Sequence, residues 1–127
     1  MSDFVVLGSA LYAAVDAATN TPVYYGLVPQ GSAFPAVTIN RQSGIDVYTF
    51  DSEGVSTDYQ IKVLSNREHP YEAALIYDAL HNGINNKHLS LTGMTALRLQ
   101  RQTQIEYRDL DGYWHIGGIY RVDAHKG

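Results

Sequence analysis

Five histidines (His69, His81, His88, His115 and His125) are the residues of this chain best suited to hold a metal or move a proton. No two of them stand four apart on a helix, which is the spacing that would bring two imidazoles to one ion, and His81 and His88 straddle a predicted helix end. They read as surface or turn histidines, and no metal site is expected. Asp51-Ser52-Glu53-Gly54 and Asp109-Leu110-Asp111-Gly112 resemble the start of calcium loops. Neither continues to the late glutamate such a loop needs, so both read as turns. The chain has no cysteine, which removes thiolate nucleophiles, thiolate metal ligands and disulfides together. It also lacks a glycine-x-serine-x-glycine elbow and a phosphate-cradling glycine loop, and no serine, histidine and aspartate fall in a triad pattern. No catalytic residue and no cofactor are expected.

The elements that would position any site follow from periodicity. Phe4, Leu7, Leu11, Val15 and Ala18 recur at helical spacing, predicting an amphipathic helix from Asp3 to Ala18 that stops before Pro22. Ala73, Ile76, Tyr77, Leu80 and Ile84 trace a second helix, entered at Pro70 and with Gly83 as its stop. Ala36 to Gln42 and Thr57 to Ser65 alternate as strands. Gly44 to Ser56 is acidic yet carries Ile45, Val47, Tyr48 and Phe50, and reads as a long loop or, alternatively, as a strand extension or hairpin arm projecting from the sheet. Leu97, Leu99 and Ile105 share one parity of a following strand, with Arg98, Gln100, Gln102, Gln104 and Glu106 on the other. The Asp109–Gly112 turn leads to a last strand in which Trp114, Ile116, Tyr120 and Val122 share a face, and Gly117-Gly118 there signals a bulge or a close backbone approach. The fold class is therefore α+β, a mostly antiparallel sheet with two helices packed on one face, in one domain over residues 1–127.

Val23 to Val37 stands apart. Gly26, Pro29, Gly31 and Pro35 punctuate it too heavily for regular structure, while Tyr24, Tyr25, Leu27, Val28 and Phe34 should pin it across the fold. The chain has 127 residues, 45% hydrophobic and 17% charged, which are globular values, and a net charge of −4 that disfavours a dedicated nucleic-acid binder. The N-terminus lacks the pattern of a signal peptide, and no apolar run approaches the ~20 residues that span a bilayer, so a soluble cytoplasmic product without membrane partners is expected. Ten tyrosines against three phenylalanines suit half-buried strands and interfaces. Tyr48 and Phe50 in the possible arm, and Gln100 and Gln102 on the polar strand face, are the expected interface residues.

Ala10-Leu11-Tyr12-Ala13-Ala14, then Val23-Tyr24, Val28-Pro29-Gln30-Gly31 and Phe34-Pro35-Ala36-Val37, carry a resemblance to a family. It continues through Val63-Leu64-Ser65, Glu72-Ala73-Ala74-Leu75-Ile76, Leu89-Ser90-Leu91-Thr92-Gly93 and the final strand pair. The pattern resembles the tail-completion proteins of long-tailed bacteriophages, also called tail terminators or tail-to-head joining proteins. The resemblance implies a non-enzymatic virion component, made in the bacterial host cytoplasm, that forms a ring, commonly hexameric, at the top of the tail tube. Its implied partners are further copies of itself, the tail-tube protein and the head connector, with DNA passing through the lumen without specific binding. Gly44–Ser56 matches no residue pattern of the family. Other readings are a different neck, minor tail or tube-like protein, or a small-molecule-binding or enzymatic α+β domain.

Overall fold

A computed structural model describes residues 3–48, 53–89, 94–96 and 99–126, with side chains at 5–42, 56–89 and 99–124. Helix α1 (Asp3–Ala18) leads into strands β1 (Val23–Tyr25), β2 (Ala36–Tyr48) and β3 (Glu53–Ser65). Helix α2 (Tyr71–Ile84) and strands β4 (Met94–Ala96), β5 (Gln100–Arg108) and β6 (Trp114–Lys126) complete the order. The sheet runs β1-β2-β3-β6, and β4 and β5 follow one another along the far side of β6. Every pairing is antiparallel except that of β1 with β2. The fold is the expected α+β arrangement.

Both helices bury the stripe their periodicity predicts. Leu7, Leu11 and Val15 of α1 and Ala73, Tyr77, Leu80 and Ile84 of α2 meet Val37, Ile39, Tyr59, Ile61, Val63, Ile116, Tyr120 and Val122 in one core. Gly83 does not stop α2, which runs on to Ile84. Its role is packing: a Cβ at Gly83 would lie 2.9 Å from the Cβ of Ala18, so its bareness lets the two helices approach. The chain reverses instead at Asn85 and at Asn86, whose φ is +63°.

The stretch after α1 is more regular than its punctuation predicts. Val23, Tyr24 and Tyr25 pair in parallel with Val37, Thr38 and Ile39, because the glycines and prolines all lie beyond Tyr25 and leave three strand-forming residues free to add to the edge. Phe34 does pin the crossing, stacking on Tyr113 at 4.8 Å. Leu27 does not, being 90% exposed. The described parts of Gly44–Ser56 take the strand-extension reading, with Gly44 to Tyr48 continuing β2 opposite Thr57 to Glu53 of β3. It is no isolated arm, since Glu53 to Ser56 also pair with Lys126 to Asp123 of β6, which β4 flanks in turn.

The polar strand differs most from expectation. A register shift between Arg101 and Thr103 inserts a bulge, so Gln100 lies opposite Arg121 while Gln104 and Glu106 lie opposite Gly118 and Ile116. An added residue reverses side-chain alternation, and the glutamines therefore do not form one face. At Gly117 and Gly118 the close-approach reading holds. A Cβ at 117 would strike the backbone of Ile61 and Lys62, and one at 118 would come within 2.7 Å of the Tyr77 hydroxyl and 2.8 Å of the Thr103 carbonyl oxygen.

Candidate functional site

Two contrasting depressions flank the sheet on its helix side. Between α2 and β5 lies a cleft of about 480 Å³ lined by Tyr77, Asp78, His81, Arg101, Gln104 and Glu106 among others. Helical spacing brings Tyr77 and His81 to one face of α2, and both reach Tyr120 on β6. The Tyr120 hydroxyl lies 2.6 Å from the Tyr77 hydroxyl and 2.6 Å from His81 Nδ1, while an Arg101 Nη1–H donates to Tyr77 at 3.3 Å. Arginine can only donate, so the chain is satisfied in one direction, from Arg101 to Tyr77, then Tyr120, then a neutral His81. Burial, reinforced by Arg101 and partly offset by Asp78, holds the His81 pKa below its ordinary value. Burial and the Tyr77 contact push the Tyr120 hydroxyl far up, which keeps it protonated. The Tyr77 hydroxyl in turn raises Arg101. This network ties α2 to β6, and it prepares no activated nucleophile.

Between α1 and β1 lies an apolar groove of about 380 Å³, lined by Val5, Gly8, Ser9, Tyr12 and Tyr25. Val5, Tyr12 and Tyr25 are exposed there, and Tyr71 and Leu75 present a further apolar pair on α2.

On the open face of the sheet Arg121 Nε donates to Asp58 Oδ1 at 3.0 Å, and His115 stacks on Tyr107 at 4.5 Å between centroids. His115 Nε2 also meets Asp109 Oδ2 at 2.7 Å, while Asp109 Oδ1 accepts the backbone N–H groups of Asp111 and Tyr113. These bonds, the His115 contact foremost, hold the Asp109 carboxyl below its ordinary pKa. Asp109–Gly112 is thus a turn, as expected, with Gly112 at φ +87° and Leu110 fully exposed at its tip.

Of the expected interface residues, Gln100 and Gln102 are neighbours, whereas Tyr48 stands apart from them. Gln100 and Gln102 are exposed at the bulged start of β5, where Gln100 Nε2 donates to Asn86 Oδ1 and Gln102 Nε2 to the Gln100 carbonyl. Tyr48 ends β2, three strands across the sheet and several rows away, and Phe50 lies outside the described residues. The histidine reading needs correction at two positions. His115 is buried, with Nε2 on Asp109 and Nδ1 left without a partner, and His81 is half-buried within α2, with Nδ1 on Tyr120. For His81 the signal was present, since Tyr77 and His81 stand four apart on a helix with Tyr120 on a core-facing parity.

Residues 9–122 match the family described as Tail completion protein gp17. The chain belongs to this family. It is accordingly a structural protein of a phage-type tail and a virion component. Its fold is also that of a chain in a solved structure described as the virion of a native gene transfer agent particle. That match has a TM-score of 0.80 and 20% identity, and covers 95% of this chain and 96% of the other. No curated protein matches the chain. Among the described residues no helix is long and apolar enough to cross a membrane.

Proposed function

We propose that this tail-completion family member acts by assembly, closing the end of the tail tube as a ring of identical subunits, commonly six, and offering the surface that meets the head connector. The family match across residues 9–122 carries the reading. Residues 1–127 serve as one domain, made in the host cytoplasm and built into the particle without catalysing a reaction. The contacts are side chains and strand edges, with Tyr48 at the end of the sheet extension and Gln100 and Gln102 at the start of β5 as further contact positions. A net charge of −4 suits a lumen through which DNA passes without adhering, since like charges repel phosphates. Light scattering on the purified protein tests the ring. A single species at a small whole multiple of 14.1 kDa is expected, whereas a strict monomer, both alone and with its tail-tube protein, would sink the proposal.

A further inference from the structure

Three rows of paired residues cross the whole sheet. Val23, Val37, Val63, Ile116 and Glu106 form one, Tyr24, Thr38, Lys62, Gly117 and Ile105 the next, and Tyr25, Ile39, Ile61, Gly118 and Gln104 the third. In these rows the outer strands are β1 and β5, both free on their far sides at the same level of the sheet, with no further pairing among the described residues.

Their hydrogen-bonding phases can be read from the sheet. The Val37 N–H donates to the Pro22 carbonyl and the Gly26 N–H to that of Ile39. Even-numbered peptide groups of β1 therefore turn toward β2, and those of Val23 and Tyr25 turn outward. At the other side the Asp109 N–H donates to the Tyr113 carbonyl. Alternation along an antiparallel ladder then turns Ile105 and Tyr107 toward β6 and leaves Gln104 and Glu106 facing outward. The outward residues of one edge thus share rows with the outward residues of the other, Val23 with Glu106 and Tyr25 with Gln104.

We propose that the free edge of β5 in one copy pairs with the free edge of β1 in the next, Glu106 opposite Val23 and Gln104 opposite Tyr25, so that one sheet runs around the ring. The inference rests on the ring reading and names its seam. A closed ring is generated by rotation alone, so contacting edges must lie at the same height, and the shared rows meet that condition. Rotation about an axis along the strands also preserves strand direction. β1 runs parallel to β2, whereas β5 is three antiparallel steps away, so the new pair is antiparallel. Side-chain faces agree too, because Tyr25 lies against Gly8 of α1 and Gln104 and Glu106 line the α2 cleft. The bulge at Arg101–Thr103 and the three-residue length of β1 confine the seam to these rows. Closing it sets the exposed Val5–Tyr12–Tyr25 groove of one copy beside the polar cleft of its neighbour.

The chain has no native cysteine, which permits a direct test in the full-length protein. Outward-facing antiparallel partners place Cα atoms ~5.5 Å apart, within disulfide reach. Mild oxidation of the Tyr25→Cys, Gln104→Cys double variant should give a ladder of multiples of 14.1 kDa on non-reducing denaturing gels, whereas each single variant stays at one chain. Gln104→Pro removes an outward N–H and no bond to β6, so it should give a folded 14.1 kDa monomer by circular dichroism and light scattering. Rings that persist in Gln104→Pro, together with a double variant that forms rings but no ladder, would overturn the seam and leave the ring reading intact. A parent protein that is monomeric alone and with tail tubes would overturn both. If Gln104→Pro does not fold, the cysteine pair decides.

Discussion

The two sides of the sheet solve the joining of helix to edge strand differently. Beside α1 and β1 the surface is apolar and open, with Val5, Tyr12 and Tyr25 exposed around a groove. Beside α2 and β5 it is polar and internally bonded through Arg101, Tyr77, Tyr120 and His81. Unlike surfaces at opposite edges favour head-to-tail contact, because an isologous interface would set each against its own kind. The polar side is also the one whose own stability depends on satisfied hydrogen bonds, whereas the apolar side has contact surface to spare.

Matched substitutions at the two edges can break that contrast. Gly118→Val should have the largest effect, because its side chain would enter space held by Tyr77, Thr103 and Arg101; a loss of about 3 kcal/mol in denaturant unfolding is expected. Gly8→Ala meets the Tyr25 ring and hydroxyl first, at 3.3 Å or more, and should stay within about 1 kcal/mol of the parent, since alanine favours the helix. Equal losses would mean that the apolar side is as tightly built as the polar one. Next in size, Tyr120→Phe strips the hydroxyl shared by Tyr77 and His81 and should cost about 1–3 kcal/mol, while Tyr25→Phe should change stability by no more than about 0.5 kcal/mol.

The smallest effect is a pH dependence. Because folding lowers the His81 pKa, the unfolded chain binds the more protons, and this contribution is present above the ordinary histidine value and lost as pH falls from there through the lower folded value. Protonated His81 would have to donate to Tyr120, reversing the chain and leaving the Tyr77 hydroxyl proton without an acceptor in it. The unfolding midpoint should therefore fall between about pH 7.5 and about pH 5.5, and His81→Gln should flatten that slope. An unchanged slope in the variant would remove His81 from the account.

Periodicity made much of this architecture legible. Both helices and the core-facing parities of β3 and β6 follow from apolar spacing, because each buries one face against a single core. The polar edge was harder to read. The bulge at Arg101–Thr103 leaves no mark in a run of Gln, Arg and Thr, since every residue there is exposed or half-exposed and no apolar pattern records the phase. β1 is only three residues long, and its pairing is decided by β2 rather than by its own sequence. The candidate seam was illegible for a related reason: backbone groups make it, and their direction depends on register, which composition does not encode.

Electron microscopy of tail tubes assembled with and without this protein is the most direct test of the central claim. Tubes formed in its presence should end in a ring of density at one end and stop lengthening. Tubes with bare ends that continue to grow, beside a protein that never binds them, would contradict it.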